Sequence, residues 1–331
     1  MSRKLMGLAV TIGLALGAPG AAMAQDYTWK FGWASADSQT DPNGVTAHEF
    51  KKAVEELTGG KIKIELYPNR QLGDEKAMME GLRFGTIESA TITASSMAAV
   101  EPAFQVADLP FLFSDVESAY RVFDGSVGNQ LAEKMESKGI KVVGYMELGF
   151  RQMVNNVRPV TQPSDIVGVK YRVMQSPLYI AMFSSMGGNA IPMAWGEMFA
   201  ALQQGAIDGM EGPLPILEAN KLYEMAKYLS LTNHSYTLGG ILVSKQAFDS
   251  LPADLQDAVM KAGKQAGKAQ REAMGKLNES LVETLKGHGM QVNEITDNKP
   301  FREALSKVYA DAEATIGKEL MAEAIAEADK K

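Results

Sequence analysis

The most restrictive feature of this chain is a helical pattern over residues 252–286, in which Leu255, Val259, Ala266, Ala273, Leu277, Leu281 and Leu285 fall near one face. Pro252 suits a helix start and Gly287 a C-terminal stop. At a rise of ~1.5 Å per residue the rod spans ~50 Å, longer than a single domain of a 331-residue chain is wide, so it reaches two bodies. Gly263, Gly267 and Gly275 each cost ~1 kcal/mol against alanine, which leaves open a kink dividing the rod in two.

Ahead of that helix, strand-like and helix-like segments alternate. Residues 27–33 read as a strand and about 44–57 as a helix, stopped by Thr58-Gly59-Gly60. Residues 61–67 have the period-two pattern of a half-buried strand, turned by Pro68-Asn69. A helix over about 74–84 stops at Gly85, and 86–93 is the next strand. Helix and strand pairs follow at 127–137 with 140–145, and at 177–186 with 190–193. This order predicts an α/β fold with mainly parallel strands. At 46% hydrophobic and 22% charged, the chain has apolar material for one large or two ordinary domains. No repeat, low-complexity tract or Pro/Ser-rich linker separates them, so two domains would be joined by structured crossovers.

Residues 1–24 read as a secretory signal peptide. Arg3 and Lys4 precede an apolar stretch over 5–16, and Ala22-Met23-Ala24 form a small-residue site with cleavage expected after Ala24. The apolar run is broken by Gly7, Gly13 and Gly17 and falls short of the ~20 residues that a spanning helix needs. The mature chain is therefore expected free in an exported compartment and not membrane-embedded. The full sequence has 33 Lys+Arg against 40 Asp+Glu, which provides no basic stripe for nucleic acid. The absence of cysteine excludes disulfides, thiolate zinc sites, iron–sulfur clusters and cysteine nucleophiles. His48, His234 and His288 lack the spacing of a zinc hydrolase. Residues 124–128 lack the serine-hydrolase offset, and 263–268 fall short of a phosphate loop. Acidic pairs such as Asp74-Glu75 and Glu55-Glu56 sit at helix starts or on polar faces. No cofactor, metal or catalytic constellation is expected, and the chain reads as a binder and not an enzyme.

Three stretches carry a stronger signal: 148–156 around Arg151, 164–173 ending in Tyr171-Arg172-Val173, and 200–213 ending in Glu211-Gly212-Pro213. With Phe31-Gly32, Leu66-Tyr67-Pro68, Gln71-Leu72-Gly73-Asp74, Leu109-Pro110-Phe111 and residues 223–228, in this order, they cover essentially the whole mature chain. The set resembles the periplasmic solute-binding proteins of tripartite ATP-independent periplasmic (TRAP) transporters, the DctP family. The resemblance implies a two-domain α/β periplasmic binding protein with a cleft between the domains and the long helix spanning both. Domain I would comprise 26–148 plus about 238–277, and domain II about 149–237 plus 278–331. It also implies capture of a small organic acid in the periplasm and delivery to TRAP membrane permease subunits, driven by an ion gradient. The binding component of an extracytoplasmic sensor is the alternative.

An arginine in the middle of an apolar strand needs an anionic partner if its head is buried, and Arg172 lies in such a strand. Its planar fork matches a carboxylate with two charge-assisted hydrogen bonds, whether from an internal acid or from a ligand. The resemblance implies the ligand for Arg172, with Arg151 assisting and Trp195 as a pocket wall. From the first domain it places Trp33, Ala34, Glu75, Thr93 and Ser95 toward the ligand. From the second it adds Met174, Glu211, Gly212, Asn233 and Tyr236. Sialic-acid-binding members carry Glu-Asn-Pro at the position of Glu211-Gly212-Pro213, and a Glu and an Arg at the positions of Thr93 and Ser96. Hydroxyls left unpaired cost ~1–3 kcal/mol each, so a smaller or more apolar acid is expected here. An aromatic or branched monocarboxylate or a C4 dicarboxylate leads, with a sulfonate or sugar acid as alternatives.

Overall fold

The computed structural model describes residues 27–330, so the leader and its cleavage site lie outside the described residues. The two strands with the plainest alternation, β1 (Tyr27–Gly32) and β2 (Ile62–Tyr67), pair in parallel, and β1 pairs on its other edge with β3 (Ser89–Thr93). Between β1 and β2 runs the helix Pro42–Leu57, started by the Asp41 carboxylate, which accepts from the backbone of Asn43 and Gly44. The helix Glu75–Phe84 connects β2 to β3, capped by Asp74 and stopped by Gly85 in the left-handed region.

The next strand departs from expectation. β4 (Ile140–Asn155) has 16 residues and runs well past the expected end at Tyr145. Bulges between Val142 and Gly144 and between Glu147 and Gly149 break its alternation, which is why the pattern lapses early. The remaining strands are β5 (Lys170–Val173), β6 (Asn189–Pro192), β7 (Gly209–Pro213), β8 (Tyr228–Leu231), β9 (Tyr236–Ser244) and β10 (Gln291–Glu294). Their order is β2-β1-β3-β9-β4-β7-β5-β6, with β8 on β4 and β10 on β8. The sheet is mixed: among the described residues five of its nine strand pairings are parallel, while β9 is antiparallel to β3 and β4, and β4 is antiparallel to β7 and β8. β4 serves two halves: its residues up to Phe150 pair with β9, and Arg151 to Asn155 pair with β7.

The long helix is a single element, Ala253–Gly287, with Pro252 as its N-cap and His288 as its C-cap; Gly289 takes the positive φ. Leu255, Val259, Ala262 and Ala266 pack into the core of the first half with Phe31, Phe50 and Ile241, while Leu285 joins the core of the second half with Met198 and Leu229. The helix thus braces both halves. Gln270, fully buried, donates to the Glu147 carbonyl (2.7 Å) and accepts from its N–H (3.1 Å), completing the β4 backbone at the second bulge.

Two of the three helix glycines are explained by this packing. A Cβ on Gly263 would fall on the Val143 carbonyl, and one on Gly267 on the Tyr145 carbonyl, whereas Gly275 has open space around it. Gly263→Ala is therefore expected to destabilise by ~1–3 kcal/mol despite its better helix propensity. Gly275→Ala should stabilise by up to ~1 kcal/mol. Urea midpoints decide the matter, and equal midpoints for the two variants would discredit close backbone packing as the reason for Gly263. Among the described residues no helix is long and apolar enough to cross a membrane.

Candidate functional site

A cavity of about 250 Å³ opens where the two halves of the sheet meet. The carboxyl ends of β1, β3, β5, β6 and β7 converge on it, the usual location of ligands in open α/β sheets. The first half contributes Ala34, Glu75 and Thr93; the second contributes Arg172, Met174, Trp195, Glu211 and Gly212, with Arg151 at the junction of β4.

Arg172 is paired through β5 with Ile191 and Met210, which puts it inside the second half of the sheet at 4% exposure. Its Nε and Nη2 both donate to the Met193 carbonyl (3.0 and 2.8 Å), and its guanidinium lies 5.9 Å from the Trp195 ring centroid. No acidic side chain among the described residues forms an ion pair with it, so the rest of its fork is available to the cavity it lines. Burial pushes its pKa down to about 10; Glu211 opposes that push and Arg151 reinforces it. It stays charged at neutral pH.

Arg151 has a different role. Its Nε donates to Glu211 Oε2, its Nη2 to Glu211 Oε1 and the Glu211 carbonyl (both 2.8 Å), and its Nη1 to Thr237 Oγ1 (2.8 Å). The Tyr179 ring covers its other face at 5.2 Å. Most of the fork is committed to an internal acid. Burial alone would raise the Glu211 pKa, but Arg151 and the neighbouring His234 outweigh it and hold the carboxyl at about 2. Burial keeps His234 below its ordinary value; its Nδ1 bonds Thr232 Oγ1 at 2.7 Å while Nε2 stands 3.5 Å from Glu211.

Four expected residues are not brought to the cavity. Trp33 and Ala34 are adjacent at the end of β1 and point to opposite sides: Ala34 faces the cavity, while Trp33 is buried in the core and donates Nε1 to the Ala36 carbonyl at 3.3 Å. Ser95 turns inward to Asp108 Oδ2 (2.7 Å), and Ser96 takes the cavity position. Asn233, at φ 44°, is held in the turn before β9 by both ends of the Gln152 amide. Tyr236 lies edge-on between Phe113 and Phe150, its hydroxyl toward Glu147. The lining also includes Ser35 and Asn43, which the sequence did not single out. Asn43 donates to Ser35 Oγ (3.0 Å), and Ser35 to Asp41 (2.8 Å), a linkage that outwardly is only helix capping.

Behind Arg151, Asp108 is fully buried, and only its Oδ2 is bonded, to Ser95; Oδ1 has no hydrogen-bond partner among the described residues. Burial raises its pKa to about 7, with Ser95 and Arg151 opposing. A carboxyl whose native pKa exceeds its ordinary 3.8 keeps its proton in the folded state where the unfolded chain has released it. Its contribution to stability therefore falls as pH rises from about 4 to about 7, by up to ~1.4 kcal/mol per pH unit, and is flat above that. Asp108→Asn is expected to remove this decline from a plot of unfolding free energy against pH. An unchanged slope would show that Asp108 titrates normally.

Residues 33–315 match bacterial extracellular solute-binding protein, family 7 (DctP). The 2,3-diketo-L-gulonate-binding periplasmic protein YiaO of Escherichia coli (strain K12) is 35% identical over 282 residues, 85% of each chain. Among solved structures, the sugar acid binding protein DctPAm from Advenella mimigardefordensis strain DPN7T, in complex with galactonate, superposes with a TM-score of 0.88 at 34% identity, over 91% of this chain and 97% of that one. A TRAP periplasmic solute binding protein from Polaromonas sp. JS666, bound to D-erythronate, superposes at 0.87 and 34% identity, over 91% and 98%. By sequence over most of its length and by its two-domain α/β fold, this chain belongs to the DctP family of TRAP periplasmic solute-binding proteins.

Proposed function

We propose that this protein captures a small organic acid by its carboxylate on Arg172 and delivers it to the membrane permease subunits of a TRAP transporter for ion-gradient-driven uptake. The observation that carries this reading is Arg172 itself, a buried cation at the cavity wall with carbonyl and aromatic contacts but no acidic partner among the described residues. A buried charge in that condition is costly, and a ligand carboxylate is the group that relieves it. Arg151 serves mainly as a strut, because Glu211 occupies most of its fork. The protein acts as a binding component and not as an enzyme.

The domain partition expected from the sequence, 26–148 plus about 238–277 against about 149–237 plus 278–331, is the proposed unit of motion. Closure around the ligand excludes water and strengthens the ion pair, and it is ligand-driven to the extent that the closed state binds better. A cavity of about 250 Å³ has room for a small acid. Relatives whose names or structures record 2,3-diketo-L-gulonate, galactonate and D-erythronate add hydroxylated acids to the aromatic, branched and C4 candidates.

A thermal-shift screen of the mature protein against aliphatic, hydroxylated, aromatic and sugar acids, sulfonates and neutral sugars tests the reading. An acid at 100 times its dissociation constant should stabilise by ~2.7 kcal/mol. Stabilisation by neutral sugars alone would overturn carboxylate capture.

A further inference from the structure

The Leu109-Pro110-Phe111 stretch lies outside the cavity lining, yet its backbone is held by three other segments of the chain. Phe111 sits at φ 56°, a left-handed conformation that is costly for a bulky side chain and persists only where the surroundings impose it. The other non-glycine residues at positive φ among the described residues, Asn69, Arg70, Lys221 and Asn233, are all polar. The Phe111 N–H donates to the His234 carbonyl (3.0 Å). Arg302 Nη2 donates to the Phe111 carbonyl (3.3 Å), with its guanidinium 5.1 Å from the ring centroid, and the Tyr309 hydroxyl donates to the Pro110 carbonyl (2.8 Å). Phe301, Leu305 and Val308 are buried in the same core as Leu109 and Phe111.

Arg302 and Tyr309 belong to the C-terminal helices Lys299–Ala304 and Ser306–Ile316, which cross between the halves together with Lys318–Ala328. Ser306–Ile316 packs on the helix Pro177–Ser185 of the second half and on Pro102–Asp108 of the first. Lys318–Ala328 packs on Val116–Asp124 and Ser126–Glu136 of the first half, where Gln130 Nε2 donates to Glu323 (2.8 Å). These helices lie on the sheet face opposite the long helix: along β9, Leu242 joins their core, while its neighbours Ile241 and Val243 join the core of Leu255 and Val259. The halves are thus braced on both faces. The clamped turn also reaches the cavity wall. Next to His234, the Ser235 carbonyl accepts from the Arg151 N–H (2.8 Å), and Ser235 Oγ donates to the Asp108 carbonyl (3.1 Å).

We propose that Arg302 and Tyr309 are positioning residues for ligand capture, acting from outside the cavity by clamping this turn where the halves join. The inference rests on the reading that the halves close around the ligand. In the arrangement described, the halves also touch beside the cavity wall at Trp195, since a Cβ on Gly196 would fall on the Arg70 guanidinium. The clamp therefore favours the closed arrangement, and releasing Phe111 from it shifts the balance toward an opened one. A ligand that needs both halves then binds with an affinity reduced by the fraction that stays closed.

The chain has no cysteine, so Glu56→Cys with Gln204→Cys, at exposed sites on the first and second halves, provides one pair of spin labels whose separation reports closure. Distances are measured in the labelled mature protein with and without galactonate or D-erythronate, beside calorimetric titration of the same two acids. Tyr309→Phe, which deletes one hydroxyl, and Arg302→Gln are each expected to move the unliganded distribution toward the opened distance. Each should also weaken whichever acid binds wild type by roughly 3- to 10-fold at unchanged stoichiometry. Variants that melt earlier but keep the wild-type distances and affinity, or that bind more tightly, would overturn the clamp and leave a purely structural contact. If neither acid binds, the unliganded distances alone decide. A wild-type distance that a bound acid leaves unchanged counts against closure itself, whereas one that the acid changes and the variants do not counts against the clamp alone.

Discussion

Glu211→Gln is expected to destabilise the folded protein by about 3–5 kcal/mol. The reason is that Arg151 and Glu211 are both essentially excluded from solvent, and the guanidinium makes three of its contacts to that one residue. Removing one partner of a buried pair leaves the other charge uncompensated in a low-dielectric interior, which costs far more than the pair contributes. Gln is nearly isosteric, so the cost is electrostatic and not a packing defect. The double substitution of Arg151→Met with Glu211→Leu should recover much of the stability, since replacing a whole buried pair by apolar groups is often neutral. A second signature lies in pH. The Glu211 carboxyl, held at about 2 against an ordinary 4.5, contributes stability that is fully present above 4.5 and lost as pH falls through about 2. The Gln variant should lack that acid limb. Chemical denaturation at several pH values measures both effects, and a loss below about 1 kcal/mol would mean that the pair is hydrated in solution.

Arg172→Ala should show the opposite balance. Its expected effect on ligand binding is about 2–5 kcal/mol, a hundredfold or more in Kd at the middle of that range. Its effect on the unliganded fold should be small or even stabilising, because the substitution removes a buried cation that has no acidic partner among the described residues. Arg172→Lys should rescue only part of the binding. An ammonium is a point charge and cannot hold the Met193 carbonyl and both oxygens of a carboxylate in one plane. Titration of the best acid from the screen against wild type and both variants, beside their melting temperatures without ligand, separates the two roles. A large loss of unliganded stability in Arg172→Ala would place Arg172 with Arg151 as a strut.

The contrast between these two arginines marks the boundary of what residue order conveys. Arg172 was visible as a candidate because an arginine in an apolar strand demands an anion, and Arg151 only through the family resemblance. The source of that anion was not visible. Arg151 meets Glu211 sixty positions away because β4 runs antiparallel to β7, and no local pattern encodes that crossing. Arg172 meets a carbonyl and an indole instead and is left open to the cavity.

By itself the sequence determined what depends on near neighbours and on residue type: the long helix, the alternation of β2, the helix starting near Asp74 and stopped at Gly85, and the family. Only the tertiary structure decided what depends on phase and on contact between distant elements. A single step at the end of β1 sends Trp33 to the core and Ala34 to the cavity, and one residue likewise separates Ser95 from Ser96. The helix glycines counted against an unbroken rod on propensity alone, yet the β4 backbone needs two of them, because no side chain fits between two main chains at that distance. The Glu75 carboxylate meets Thr93 and Ser96, some twenty positions onward, where β3 ends. Propensity and patterning are local and can be read in order; a hydrogen-bond inventory is settled only when the chain has folded back on itself.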